Sequence, residues 1–162
     1  MRKLSPRLVL VLTGLACGAS VGLALLAQYK FGMEPCPWCI LQRLIFIVLA
    51  MLCPLAAALP AAALRRGLSA LAIPLTLGGI AAAWWQHFVA AKSSSCALTL
   101  ADKIVAFFGV DTRWPNVFEV RASCADAAAS PFGVPFEFWS LALFALVGMA
   151  LLYSTITPDR RA

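Results

Sequence analysis

The chain has 162 residues, of which 62% are hydrophobic and only 12% are charged, and its formal net charge is +6. A soluble protein of this length could not cover so much apolar surface with so few charged residues, which excludes a soluble globular domain. The basic residues flank apolar segments and form no soluble basic domain, so we expect no nucleic-acid partner. We expect an all-α membrane protein in a lipid bilayer.

Four segments are long and apolar enough to cross a hydrocarbon core of about 30 Å, which needs about 20 helical residues. In chain order, these predicted spans are residues 8–27, 40–64, 67–91 and 137–157. The segments between them on the outer side are two loops, 28–39 and 92–136. The segments on the opposite side are 1–7, 65–66 and 158–162. The predicted fold is a four-transmembrane-helix bundle in a single membrane domain.

The distribution of positive charge predicts the orientation of the bundle. Four spans place both termini on one side of the membrane, together with the turn at 65–66. That side carries seven cations against one acid, Asp159, and so accounts for the whole net charge. By the positive-inside rule it is cytoplasmic, and the two loops are periplasmic if the cell is Gram-negative. The seven cations are Arg2, Lys3, Arg7, Arg65, Arg66, Arg160 and Arg161.

The first span and the second span each contain a cysteine in an apolar setting. The basic start and apolar run could also be a cleaved signal peptide, or a lipoprotein signal ending at Cys17. The apolar run continues for ten residues beyond Cys17, which is too long for a signal segment, so we expect a retained helix. We interpret Cys17 and Cys53 as packing residues, because buried thiols in apolar surroundings are inert.

The first loop ends in Cys36-Pro-Trp-Cys39, a CxxC motif at the start of the second span. Proline suits the first position of a helix, which would make Cys36 the N-cap and place Cys39 in the first turn. Both sulfurs would then lie at the positive end of the helix dipole, which favours the thiolate. Arg43 lies one turn after Cys39 on the same helix face and adds a permanent positive charge. We therefore expect Cys39 to be the more stabilised thiolate.

Arg43 and His87 are the candidate ligand-binding residues inside the spans. Arg43 could simply extend its charge to the interface, although a charge within a span is by default a functional hypothesis. At about 1.5 Å per residue, both side chains would lie on the order of 6–8 Å below the outer surface. A lone histidine there is more often hydrogen-bonded to neighbours or water than to a ligand. Together, however, they would suit a quinone, whose carbonyl oxygens accept hydrogen bonds.

The second loop contains two more cysteines, Cys96 and Cys124, which enclose 27 residues. With Cys36 and Cys39 they make four cysteines on the outer side, where disulfides form and persist. Two pairs are expected, and three pairings are possible on the sequence alone. The alternative is a structural zinc site. Such sites commonly use two closely spaced cysteine pairs, which Cys96 and Cys124 do not provide, so we expect no metal.

Residues 98–108 of the second loop have the apolar spacing of a short amphipathic helix. Its apolar face could lie on the membrane surface while Asp102 and Lys103 remain in water. Such an interfacial helix would tether a loop that must otherwise reach a soluble partner.

Taken together, these features resemble the DsbB family of bacterial disulfide bond formation proteins. The resemblance covers nearly the whole chain. It includes four spans, the Pro-Cys-x-x-Cys-Ile segment followed by Arg43, a histidine late in the third span, and two cysteines in a long second loop. It implies an inner-membrane enzyme that reoxidises the periplasmic thiol oxidase DsbA. The electrons would pass to a membrane quinone of the respiratory chain, ubiquinone or menaquinone.

The resemblance also implies a role for each of the four outer cysteines. Cys96 would form the mixed disulfide with DsbA, and Cys124, released by that attack, would engage Cys36. Cys39 would then be the thiolate that faces the quinone. The last step would regenerate the disulfide between Cys36 and Cys39.

On the quinone side, the resemblance implies that Arg43 holds the quinone and stabilises the neighbouring thiolate. His87 would be a second quinone-side residue.

Two other functions stay open on the sequence. One is a paralogue that serves a different thiol oxidase, and the other is a membrane cysteine redox sensor or metal-binding protein.

Overall fold

The computed structural model describes residues 4–92, 99–127, 130 and 133–158. Within these ranges the regular elements are helical and no strand occurs. Four helices are long and apolar enough to cross a membrane, which confirms the predicted fold class: α1 Pro6–Phe31, α2 Pro37–Ala58, α3 Ala62–Phe88 and α7 Phe136–Ile156. The shorter helices lie between α3 and α7 in the chain: the 3₁₀ turn Ala90–Lys92, then α4 Leu100–Phe108, α5 Val110–Arg113 and α6 Pro115–Phe118.

Local sequence signals set the ends of α1 and α2. α1 ends at Phe31, and Gly32 is its C-cap. The φ of Gly32 is 64°, a left-handed conformation that glycine adopts without a steric penalty. The first loop is therefore shorter than predicted and leaves only residues 32–36 between the two helices. Cys36 is the N-cap of α2, and its Sγ accepts a hydrogen bond from the Cys39 amide at 3.3 Å. Pro37 occupies the first helical position, so the predicted cap is confirmed.

The turn between α2 and α3 lies at residues 59–61, which corrects the predicted turn at 65–66. Pro60 has no amide N–H and disfavours a helical conformation in the residue before it, and Leu59 is accordingly extended, with ψ of 128°. The carbonyls of Leu59 and Pro60 accept hydrogen bonds from Arg7 Nη2 at 3.4 and 3.3 Å. The proline therefore ends α2 six residues before the predicted end of the second span, at 64.

The four long helices pack in a ring in which α1 contacts α2, α2 contacts α3, α3 contacts α7 and α7 contacts α1. Stacked rings of Phe46 and Phe144 lie inside this bundle, with 4.0 Å between their centroids. Gly79 allows that approach, because a Cβ atom there would overlap the Phe144 ring. Cys17 and Cys53 are 0% and 1% exposed in the same core, so their predicted burial is confirmed.

Both described termini and the start of α3 meet at one end of the bundle. Arg66 Nη2, in the first turns of α3, donates to the Thr157 carbonyl at 3.4 Å. Tyr153 Oη, near the end of α7, donates to the Leu4 carbonyl at 2.8 Å. Arg66 therefore lies at the same end of the bundle as both described termini. That this end is cytoplasmic stays a prediction.

The second loop covers the opposite end of the bundle, where α4 packs against α2. Thr99 caps α4 and forms a reciprocal capping box with Asp102. Two residues of α4, Ala101 and Val105, are buried, whereas Phe107 is 84% exposed. A helix thus occupies most of the predicted 98–108 segment. The placement of its exposed face on a membrane surface stays a prediction.

Candidate functional site

Three cysteines, Cys36, Cys39 and Cys124, lie together at the outer end of α2. Cys36 Sγ is 2.8 Å from Cys39 Sγ, and it also hydrogen-bonds to Cys124. All three are free cysteines, and Cys36 has no exposed surface. The structure therefore places Cys36 between the other two. The fourth predicted cysteine, Cys96, lies outside the described residues.

The contacts of Cys36 have opposite effects on the pKa values of Cys36 and Cys124, the two described outer cysteines that lie outside the spans. Hydrogen bonds to Cys124 and Cys39, together with burial, raise the pKa of Cys36 far above its ordinary range. The hydrogen bond from Cys36 lowers the pKa of Cys124. The sequence predicts that the helix dipole favours the thiolate at both cysteines of the CxxC motif, and for Cys36 that prediction is wrong. Of Cys36 and Cys124, Cys124 is thus the readier nucleophile.

Two buried glutamines hold Cys39. Gln86 Nε2, from α3, donates to Cys39 Sγ at 3.2 Å. Gln42 Nε2, from α2, donates to Gln86 Oε1 at 2.7 Å, and the two residues are only 3% and 5% exposed. Sequence reasoning missed both. The available signal in the sequence was a glutamine within an apolar span, directly before each predicted ligand-binding residue. Gln42 precedes Arg43, and Gln86 precedes His87.

Arg43 points into the protein and is only 5% exposed, so it does not extend to the interface. Its Nη1 donates to Gln28 Oε1 of α1 at 3.0 Å and to the carbonyl of Val117 in α6. Its Nε is buried and has no hydrogen-bond partner among the described residues. Arg43 therefore joins α1, α2 and the second loop, and its buried Nε is available to a further acceptor.

His87 has different partners from Arg43. Its Nδ1 lies 2.6 Å from Glu137 Oε1, at the start of α7, and its ring centroid is 4.5 Å from that of Phe138. The His87 side chain is 30% exposed, whereas that of Glu137 is 9% exposed. The residue of α3 that hydrogen-bonds to a cysteine of the CxxC motif is Gln86. His87 contacts α7 instead.

An apolar cleft of about 1210 Å³ lies between α2 and α3 and is partly covered by α4. Trp38 and Trp85 line it with ring centroids 6.4 Å apart, and Cys124 also lines it. Its lining does not include Cys39 or Arg43. Of the three clustered thiols, the cleft therefore reaches the loop cysteine, Cys124.

Within the described residues, no group of three or more histidine, cysteine, aspartate or glutamate side chains could hold a metal ion. Neighbouring sulfurs that can attack one another are what thiol–disulfide exchange requires.

Fold and site together define a multi-pass membrane protein whose cysteine cluster closes one end of a four-helix bundle. The family described as "Disulfide bond formation protein DsbB" matches residues 6–154, nearly the whole chain. The chain belongs to the DsbB family, and its predicted resemblance is confirmed.

Relatives of the same description cover most of both sequences. "Disulfide bond formation protein B 1" of Pseudomonas savastanoi pv. phaseolicola is 35% identical over 156 residues, which are 94% of this chain and 90% of the relative. "Disulfide bond formation protein B" of Verminephrobacter eiseniae is 36% identical over 151 residues, 91% and 85% of the two chains. The Pseudomonas aeruginosa relative is 33% identical over 155 residues, 91% and 94% of the two chains. No solved structure gives a significant match.

Proposed function

We propose that the protein is a thiol:quinone oxidoreductase of the bacterial inner membrane that reoxidises periplasmic DsbA. The observation that carries the proposal is the order of the thiols, with Cys36 between Cys124 and Cys39. Disulfide exchange proceeds by attack of a thiolate on a neighbouring sulfur. A row of adjacent sulfurs from the loop to the first turn of α2 therefore supports transfer of electrons toward the bundle.

The second loop would meet DsbA through a disulfide between Cys96 and Cys124. A DsbA thiolate attacks Cys96, forms the mixed disulfide and releases Cys124 as a thiolate. Cys124 then attacks Cys36, so that the Cys36–Cys39 bond breaks, a Cys124–Cys36 bond forms and Cys39 leaves as a thiolate. The contact between Cys124 and Cys36 supports this direction of attack.

The other DsbA thiolate completes the exchange. It attacks the DsbA sulfur of the mixed disulfide, which leaves DsbA oxidised and Cys96 as a thiolate. Cys96 then attacks Cys124, which restores the loop disulfide and releases Cys36. The two electrons taken from DsbA now lie on Cys36 and Cys39.

A membrane quinone, ubiquinone or menaquinone, would be the two-electron acceptor for the thiols of Cys36 and Cys39, at a potential that no soluble thiol pool provides. Arg43 fits a quinone carbonyl because its buried Nε lacks a partner among the described residues. Its charge also stabilises the Cys39 thiolate, one helical turn away. We assign His87, oriented by Glu137, as a second residue on the quinone side.

The proposed orientation has both termini in the cytoplasm and both loops in the periplasm. Arg7 and Arg66 lie at the end of the bundle that carries the termini, and the thiol cluster lies at the other end. The positive-inside rule therefore supports a periplasmic thiol cluster. DsbA is a periplasmic protein, so this orientation brings the two partners together.

The test mixes purified protein with reduced DsbA and a soluble quinone analogue, and follows the loss of quinone absorbance. Turnover is expected for the unchanged protein and is expected to vanish when any of the four outer cysteines is replaced by alanine. Cys53→Ala is the matched control, because Cys53 is a buried packing residue and its loss should leave turnover intact. Turnover that survives both Cys36→Ala and Cys96→Ala would refute the proposal.

A further inference from the structure

The interhelical amide chain formed by Gln42 and Gln86 ends on the sulfur of Cys39. Among the described residues of α3, Gln86 is the one that hydrogen-bonds to an outer thiol, and it lies 47 residues after Cys39 in the chain. Both glutamines are nine-tenths or more buried. Two polar amides in a membrane-spanning seam are costly unless they are hydrogen-bonded.

The direction of the hydrogen bonds determines what Gln86 presents to the sulfur. An amide has one accepting oxygen and one donating nitrogen, and a thiolate can only accept. Gln42 Nε2 donates to Gln86 Oε1 at 2.7 Å, which occupies the oxygen and leaves the NH₂ group facing Cys39 Sγ at 3.2 Å. The opposite orientation would turn the oxygen of Gln86 toward the sulfur and would repel a negative charge there.

We infer that Gln86 is the donor that holds the Cys39 sulfur in its ionised form, and that Gln42 is a positioning residue that fixes the amide of Gln86. Gln42 lies on α2, three residues after Cys39. Gln86 of α3 is therefore hydrogen-bonded to two residues of α2, Gln42 and Cys39. Relative rotation of α2 and α3 would break it. The packing of these two helices therefore controls the reactivity of Cys39.

This inference rests on the proposed function only for its effect on turnover, because the hydrogen bonds act on Cys39 with or without a partner. The test therefore uses the full-length protein in detergent, in a Cys36→Ser background that cannot form the CxxC disulfide. Iodoacetamide labels Cys39 across a pH series, and mass spectrometry of the peptide that contains Cys39 gives the alkylation rate at each pH. No DsbA and no quinone are present.

Gln86→Leu is expected to move the midpoint of the alkylation profile upward by about one pH unit, because it removes a hydrogen bond to a charged group. Below the midpoint, the rate should fall roughly tenfold. Gln86→Glu keeps the length of the side chain but replaces the donor with a carboxylate oxygen. It should shift the midpoint at least as far, without opening a cavity.

Gln42→Leu should give a smaller upward shift, because the amide of Gln86 remains but can rotate. If Gln42 acts only through Gln86, the double substitution should shift the midpoint no further than Gln86→Leu alone. A double mutant whose shift equals the sum of the two single shifts would overturn the positioning role of Gln42.

Thr76→Val is the matched control for a buried polar substitution in α3. Thr76 is 1% exposed, and its hydroxyl donates to the Ala72 carbonyl within the same helix, away from the thiols. Its midpoint should equal that of the unsubstituted background. If Gln86→Leu and Gln86→Glu also keep that midpoint, the role of Gln86 is refuted. That result would leave the proposed function standing, whereas turnover of the Cys39→Ala protein would refute the function and not the hydrogen bond.

Discussion

Two groups of cysteines in the same bundle have opposite surroundings. Cys17 and Cys53 lie in the central core among aliphatic and aromatic side chains. Cys36, Cys39 and Cys124 lie at the outer end, where a helix N-terminus, an amide and a neighbouring thiol all contact sulfur. The residue type is the same in both groups. What differs is whether polar donors from other segments reach the sulfur, and that difference separates packing thiols from thiols suited to exchange.

The largest expected effect comes from removing the buried charge at the outer end. Arg43→Ala should lower kcat/KM for the quinone analogue by about 100-fold, as loss of a preorganised donor does at other sites. Its effect on disulfide exchange with DsbA should be smaller, because the order of the sulfurs is unchanged. Stopped-flow measurement of each half-reaction separates the two. Equal losses in both half-reactions would contradict the role of Arg43.

A smaller effect is expected on the pH dependence of Cys124. The hydrogen bond from Cys36 lowers the pKa of Cys124, so this cysteine is ionised and reactive at a pH where an ordinary thiol is still protonated. Cys36→Ala removes the donor and should raise the alkylation midpoint of Cys124 by about one unit. Cys36→Ser keeps a hydroxyl donor and should raise it less. A Cys124 midpoint that stays at the unsubstituted value in both variants would show that Cys36 does not set the ionisation of Cys124.

The smallest effect on function is expected in the core. Gly79→Ala places a Cβ against the Phe144 ring and should lower the free energy of unfolding by about 1–3 kcal/mol, as overpacking does. The adjacent Gly78 has no atom within 4 Å of an added Cβ, so Gly78→Ala should not destabilise the protein. Denaturation in detergent measures both. Turnover per folded molecule should be unchanged in Gly79→Ala, and a loss of turnover at full folding would show that core and outer end are not independent.

The sequence was sufficient for those parts of the structure that depend on short-range patterns. Span length and hydropathy predict the four helices, and the Cys-Pro pair predicts the cap of α2, because each signal lies within one or two helical turns. The end of α2 was misplaced by the same reasoning. The arginine pair predicts a turn at 65–66, although Pro60 has the stronger effect on the backbone.

The contacts between distant segments could not be predicted. Successive residues of a helix point about 100° apart, so whether Gln86 or His87 faces the thiols depends on the rotation of α3 about its own axis. Helix packing sets that rotation, and no local pattern reports it. The bond from Arg43 to the Val117 carbonyl likewise depends on the path of the second loop over the bundle.

The central claim is that Cys36 is the middle sulfur between the loop and the first turn of α2. Mild oxidation of the Cys39→Ala/Cys96→Ala protein, in which Cys96 cannot compete for Cys124, tests it most directly when disulfides are then mapped by mass spectrometry. A disulfide between Cys36 and Cys124 is the predicted product, and the matched Cys36→Ala/Cys96→Ala protein should form little or no disulfide between Cys39 and Cys124. Formation of the Cys39–Cys124 disulfide as readily as the Cys36–Cys124 disulfide would contradict the account.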